Sequence, residues 1–315
     1  MGVTRDVRKL MAAADPAADL RVDEERARAD LEAILARAPQ PGPARQPWRP
    51  PRWLTVAAGA TAVAALAAVL TVLPGDSGGT GDGGTGYTTA SPLPYEAATA
   101  ERPADELLAE IADRAAAQPE PDGRAVEIRY LEWTLAQTSD EPLLGMEADV
   151  RNRLSPDGTV TQTRKVLGAT TTSEYGPTPY MQPAPADPEE FRAWLESAHG
   201  APVAAPIDLT AAMHDLLTVQ DLGPQQRAAF LRMLADMPGL TYDGEATDRA
   251  GRHVQAFSLT SSKSGEPTRY TFLIDPATGR VLGQEATLTE AADEPDLPLP
   301  FVISYQVYFP ALRDG

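Results

Sequence analysis

The chain has no cysteine in its 315 residues. That excludes disulfide staples, Cys-ligated zinc, iron–sulfur sites and thiol nucleophiles together, and it removes the acceptor for a lipoprotein anchor. Lysine is nearly missing too, with three against 24 arginines. Only three histidines, His199, His214 and His253, are available for metal or proton chemistry, and they share no ligand spacing with each other or with carboxylates. No metal or cofactor is therefore expected, and each histidine is expected to be structural. Phosphate-cradling glycine loops and basic patches interleaved with aromatics are also missing. A net charge of −18 repels a polyanion, so nucleic acid is excluded as a partner.

Charge itself is missing from one stretch. Residues 53–73, WLTVAAGATAVAALAAVLTVL, contain no ionisable acid or base. As a helix rising ~1.5 Å per residue, 21 residues span about 32 Å, which matches a hydrocarbon core of roughly 30 Å. A buried core helix of that length would still show a polar face. A cleaved signal peptide would carry a shorter apolar stretch near the start, ending in small residues. Here 52 residues precede the run, and Leu73-Pro74-Gly75 is a poor cleavage site. The run reads as a retained transmembrane helix. Arg45, Arg49 and Arg52 stand just before it and Asp76 is the first charge after it, which places residues 1–52 in the cytoplasm and the rest outside. The two sides differ in kind: residues 1–52 hold ten basic and eight acidic side chains, the remainder 17 and 37.

The cytoplasmic segment shows helical spacing over 4–14 and 23–38, with Ala27, Leu31, Ile34 and Leu35 near one face, followed by a proline-rich connector. This stripe is too small to bury a core alone. Leu31, Ile34 and Leu35 are the candidate contacts for a cytoplasmic protein partner. Beyond the membrane, Gly75-Asp76-Ser77-Gly78-Gly79 matches the string around a serine-protease nucleophile. Seven glycines in the twelve residues from Gly75 to Gly86 make it a flexible coil instead, unable to hold an oxyanion hole. Residues 74–103 are expected to be a linker.

From Ala104 to the end the pattern is α+β. One helix carries Leu107, Leu108 and Ile111 inward. Eight alternating segments read as strands, beginning with AVEIRYLEW, MEADVRNRL and TVTQTRKVL and ending with FVISYQVYF. Between them a helical insert holds three helices. The first is capped by Asp187, the second opens at Asp208, and the third begins at Pro224 and ends before Gly239. The turns DRAG, SKSG and DPATG each supply a glycine for positive φ. The expected fold is a curved antiparallel sheet of about eight strands with helices on one face. Glu127 and Glu132 lie in one strand and are the nearest thing to a pair of acids, but nothing fixes their separation, and no enzyme is expected.

The stretch PQQRAAFLRMLADMPGLTYDGEATDRAGRHVQAFSL, followed by YTFLIDPATGRVLGQE, resembles an actinobacterial family of functionally uncharacterised single-pass membrane proteins. That resemblance implies a short cytoplasmic N-terminus, one anchor and an extracytoplasmic domain spanning 104–309. The layout is also similar to that of membrane anti-sigma factors, which implies a sigma factor as cytoplasmic partner. The zinc-binding type carries one His and two Cys in its N-terminal part, and this chain has neither there, so the resemblance implies a zinc-free type. The outer domain resembles the half-barrel folds of LolA-type carriers, which implies a lipid or other apolar ligand.

Overall fold

The computed structural model describes residues 90–96, 102–136, 144–290 and 299–314. They belong to one compact unit. The run 53–73 and the stripe of Leu31, Ile34 and Leu35 lie outside the described residues. Among the described residues no helix is long and apolar enough to cross a membrane.

Helix α1 (Ala104–Ala116) leads into strands β1 (Arg124–Ala136), β2 (Leu144–Leu154), β3 (Val160–Val166) and β4 (Ala169–Tyr175). Helices α2 (Pro188–His199), α3 (Pro206–Leu217) and α4 (Pro224–Ala235) follow. The chain then returns through β5 (Thr241–Thr247), β6 (His253–Ser261), β7 (Thr268–Ile274), β8 (Val281–Leu288), β9 (Phe301–Tyr308) and β10 (Leu312–Asp314). All pairings are antiparallel, in the order β4-β3-β2-β1-β9-β8-β7-β6-β5, with β10 added to the start of β1. The sheet is open and ten-stranded rather than eight-stranded.

The two extra strands have plain physical origins. β4 is ATTTSEY, exposed along nearly its whole length at the sheet edge, so it shows no apolar alternation. It is separated from β3 by Leu167 and Gly168, both at positive φ (48° and 84°). That is the tight hairpin geometry usually signalled by Asn-Gly, and leucine conceals it. β10 has only three residues and lies against β1 by main-chain pairing, with Asp314 accepting a 2.6 Å bond from the Arg124 amide. One helix start also moves. α3 begins at Pro206 rather than at Asp208, because proline at the first helical position needs no amide partner. α2 starts as its sequence suggests, with Asp187 accepting from the amides of Glu189 and Glu190 at 3.0 Å each.

The four helices share one core with one face of the sheet, called inner here. Leu108, Ile111, Phe191, Leu209, Met213 and Phe230 bury against Tyr130, Val150, Phe257, Phe272, Ile274 and Tyr308. The outer face carries two smaller apolar clusters, one around Trp133 and Tyr305 and one around Val254 and Leu273. Residues 90–96, which the composition assigns to the linker, lie on this second face. Leu93 and Tyr95 pack on the Val254 cluster, and Glu96 exchanges two main-chain bonds with Glu245 of the edge strand β5. Residues 90–96 are thus fastened across the back of the sheet.

Candidate functional site

Period-two alternation sends neighbours on a strand to opposite faces. Glu127 and Glu132 are an odd number of residues apart, and β1 pairs with β2 without a break between them, so they face opposite sides of the sheet. Glu127 lies 3.8 Å from Arg153, while Glu132 contacts Arg164 on the inner face. These two acids cannot flank one bond. Of the histidines, His199 lies 3.3 Å from the Tyr180 hydroxyl, and His253 lies 3.1 Å from Glu245 in solvent. The third is different.

His214 projects from α3 onto the middle of the inner face. The Tyr308 hydroxyl donates to Gln284 Oε1 at 3.1 Å and lies 3.0 Å from His214 Nδ1. His214 Nε2 lies 4.0 Å from Glu132 Oε2. The Tyr130 ring stands edge-on to the imidazole at 5.4 Å. Burial, helped by the Arg164 cation, pushes the His214 pKa down to about 4, and burial raises the Tyr308 phenol well above its ordinary value. At neutral pH the imidazole is uncharged, so its approach to Glu132 is not an ion pair.

Next to this relay, between α3 and strands β7–β9, is a cleft of about 90 Å³. Its walls are apolar at Ile207, Ala211 and Ala286 and polar at Asp215, Gln284 and Gln306. Gln284 and Gln306 are directly paired across β8 and β9. Gln284 is 2% exposed, and among the described residues its Nε2 has no hydrogen-bond partner. A buried amide left without a partner costs about 1–3 kcal/mol, so it marks a place where a further group is wanted. A second cleft of about 40 Å³ sits at the other end of α3, against the α3–α4 connection and the ends of β8 and β9. Tyr308 lines it from the far side of the relay.

Asp215, the residue after His214, carries the clearest electrostatic strain. Burial pushes its carboxyl up to about 6, with only His199 opposing. A raised carboxyl pKa means the fold prefers the protonated form. That contribution is complete below about pH 3.8 and is lost as pH rises through 6. For His214 the sign reverses: its depressed pKa stabilises the fold above about 6.5, and this is lost as pH falls through 4. The two oppose each other over the mildly acid range. Asp215→Asn removes the first and leaves the second. The variant is expected to be more stable than the parent at pH 7.5, by about 1–2 kcal/mol, with the gap closing towards pH 4. Urea titrations at pH 7.5 and 4.5 check this, and an unchanged or lowered stability at pH 7.5 contradicts it.

Sequence reasoning singled out neither Asp215, Gln284 nor Tyr308. Gln284 and Tyr308 are ordinary residues in ordinary strands, and only their burial beneath α3 makes them unusual. Comparison with protein-family models and with curated proteins finds no match for the chain.

Proposed function

We propose that this chain is a single-pass membrane protein whose C-terminal α+β domain is an extracytoplasmic sensor. Residues 1–52 meet a cytoplasmic protein partner, a sigma factor in the anti-sigma-like arrangement, through Leu31, Ile34 and Leu35. The observation that carries the reading is the cleft beneath α3. A buried amide without a partner and a carboxyl displaced to about 6 are kept there at a cost to stability, as binding sites commonly do. The helix above them connects at both ends to clefts, so a ligand entering either one acts on α3 directly. The strap at residues 90–96 ties the sheet to the chain that leads to the span, which supplies a mechanical route from domain to membrane.

A second reading makes the same domain a carrier for a lipid or other apolar ligand, in the half-barrel manner. It is favoured by helices covering one face of an open sheet. Register shifts on β1, β5, β8 and β9 are bulges of the kind that curve a sheet about its helices. Sites for drug-sized ligands hold about 300–1,000 Å³. The cleft beneath α3 holds about 90 Å³, so an acyl chain enters only if that helix lifts.

The absence of cysteine makes the membrane reading directly testable. A single cysteine placed by Ser77→Cys is expected to react with a membrane-impermeant maleimide in intact cells. One placed by Ala12→Cys is expected to react only after lysis. The opposite labelling pattern, or recovery of the chain in the soluble fraction, overturns the proposal.

A further inference from the structure

The cleft at the C-terminal end of α3 contains an arginine with no ion-pair partner among the described residues. Arg227 sits in the first turn of α4 and is 6% exposed. Two other arginines nearby, Arg280 and Arg313, share Asp221, whose two oxygens they hold at 2.7 and 2.6 Å. Arg227 pairs with no carboxylate among the described residues, and its Nε has no hydrogen-bond partner. Its guanidinium is held down to about pKa 10 by burial and by the Arg280 cation, with Asp221, Glu120 and Asp275 offsetting part of this. A helix N-terminus is already the positive end of its dipole, so a cation there is misplaced on its own account. Burying a charge without an ion-pair partner costs stability. A methionine or leucine would fill the same space more stably, so retaining arginine points to an absent anion.

The surroundings restrict which anion fits. Arg227 and Arg280 line the cleft together with Ile128, Leu222, Phe230 and Pro310. Apolar walls disfavour a strongly hydrated dianion and favour an anion with a hydrocarbon body. The space, about 40 Å³, takes a planar head of a few atoms, at roughly 10–15 Å³ for each water-sized occupant. A guanidinium presents two parallel N–H groups that match a carboxylate.

We propose that the cleft between the α3–α4 connection and the ends of β8 and β9 binds the carboxylate of a small amphipathic acid, with Arg227 as its principal partner. Arg280, already committed to Asp221, borders the head, and the hydrocarbon body lies along Pro310 towards the open mouth. The site is distinct from the cleft under the N-terminal half of α3, and Tyr308 stands between the two. The inference rests on reading the outer domain as ligand-binding, but it is independent of membrane topology, which the cysteine labelling tests separately.

The experiment uses the full chain in lipid nanodiscs, with the Ile128 δ1 methyl as an NMR reporter inside the cleft. Sodium butanoate is expected to shift that methyl saturably, and 1-butanol and inorganic phosphate are expected to bind at least about tenfold more weakly. Arg227→Met is expected to lose butanoate binding by about tenfold or more and yet to melt about 2–4 °C higher, because it removes a buried unpaired charge. A purely structural arginine predicts the reverse, a lower melting temperature. Ala311→Phe, at the mouth, is expected to block butanoate with Arg227 in place, which keeps the test decisive should Arg227→Met fail to fold. Equal binding of butanol and butanoate overturns the proposal, as does phosphate binding as tightly as butanoate. Butanoate binding that survives either substitution overturns it as well.

Discussion

Replacing Arg249 with leucine is expected to lower the unfolding free energy of the domain by about 3–5 kcal/mol. The reason lies on the outer face, where the Glu285 side chain has no solvent exposure at all. Its carboxylate is held by Arg249 Nη2 at 2.5 Å and by the Thr287 hydroxyl at 3.2 Å. Without the guanidinium, a buried charge is left with one neutral donor. The same arginine lies over the Tyr305 ring at 4.2 Å, and Tyr305 stacks on Trp133 at 5.6 Å. It also donates to the Ser91 carbonyl at 2.9 Å, so losing it removes one of the contacts that fasten residues 90–96 to the sheet. The double variant Arg249→Leu with Glu285→Leu is expected to recover most of the loss, because two apolar side chains of similar volume replace the pair without a buried charge. Urea titration of parent, single and double variants decides the matter. A double variant no more stable than the single one would locate the stabilisation in the Tyr305 contact and the strap rather than in the ion pair.

The second large effect is at Gly279, where substitution by alanine is expected to cost about 2–5 kcal/mol, from left-handed backbone strain and overpacking combined. The residue has φ +67° in the turn between β7 and β8. A Cβ there would lie 2.7 Å from Ala115 Cβ and 2.9 Å from Leu231 Cδ1. The hairpin tip is pressed between α1 and α4, and the Ala115 methyl, fixed to its backbone, cannot rotate away. Gly251 is the internal control. It has φ +80° in the turn before β6, with nothing within 4 Å of its Cβ position. Gly251→Ala is expected to show only the backbone part, about 1–2 kcal/mol. Equal losses in the two variants would mean that the tight contact with α1 and α4 is not felt.

These two positions separate the kinds of information the chain carries. The turn DPATG announces its positive-φ glycine locally, since the conformation depends only on the residue and its neighbours. The contact of that turn with Ala115 and Leu231 joins residues more than a hundred positions apart in one case, and nothing in the turn announces it. The strands behave likewise. β1, β2 and β5 to β9 show apolar alternation or apolar runs because at least one face is buried. β4 is polar throughout because it is an exposed edge, and its tight turn carries a leucine where glycine or asparagine is usual. Glu127 and Glu132 attracted attention as acids in an apolar strand, yet their odd spacing already placed them on opposite faces. The linker, by contrast, was legible only in part. Composition gives no sign that Leu93 and Tyr95 pack, because their packing depends on an apolar patch supplied by β5, β6, β7 and β8.

By itself the amino-acid sequence determined the absence of thiol chemistry, the division of charge about the run 53–73, the α+β class and most of the helix and turn boundaries. Each follows from residue type and short-range periodicity. Tertiary structure alone decided which polar groups are stranded. His214 and Tyr308 meet across 94 residues, and Asp215, Gln284 and Arg227 come from two helices and a strand. Desolvation is a property of the packing around a group and not of the group itself. A glutamine, an aspartate or an arginine therefore carries no mark in the sequence that distinguishes a solvated side chain from a desolvated one.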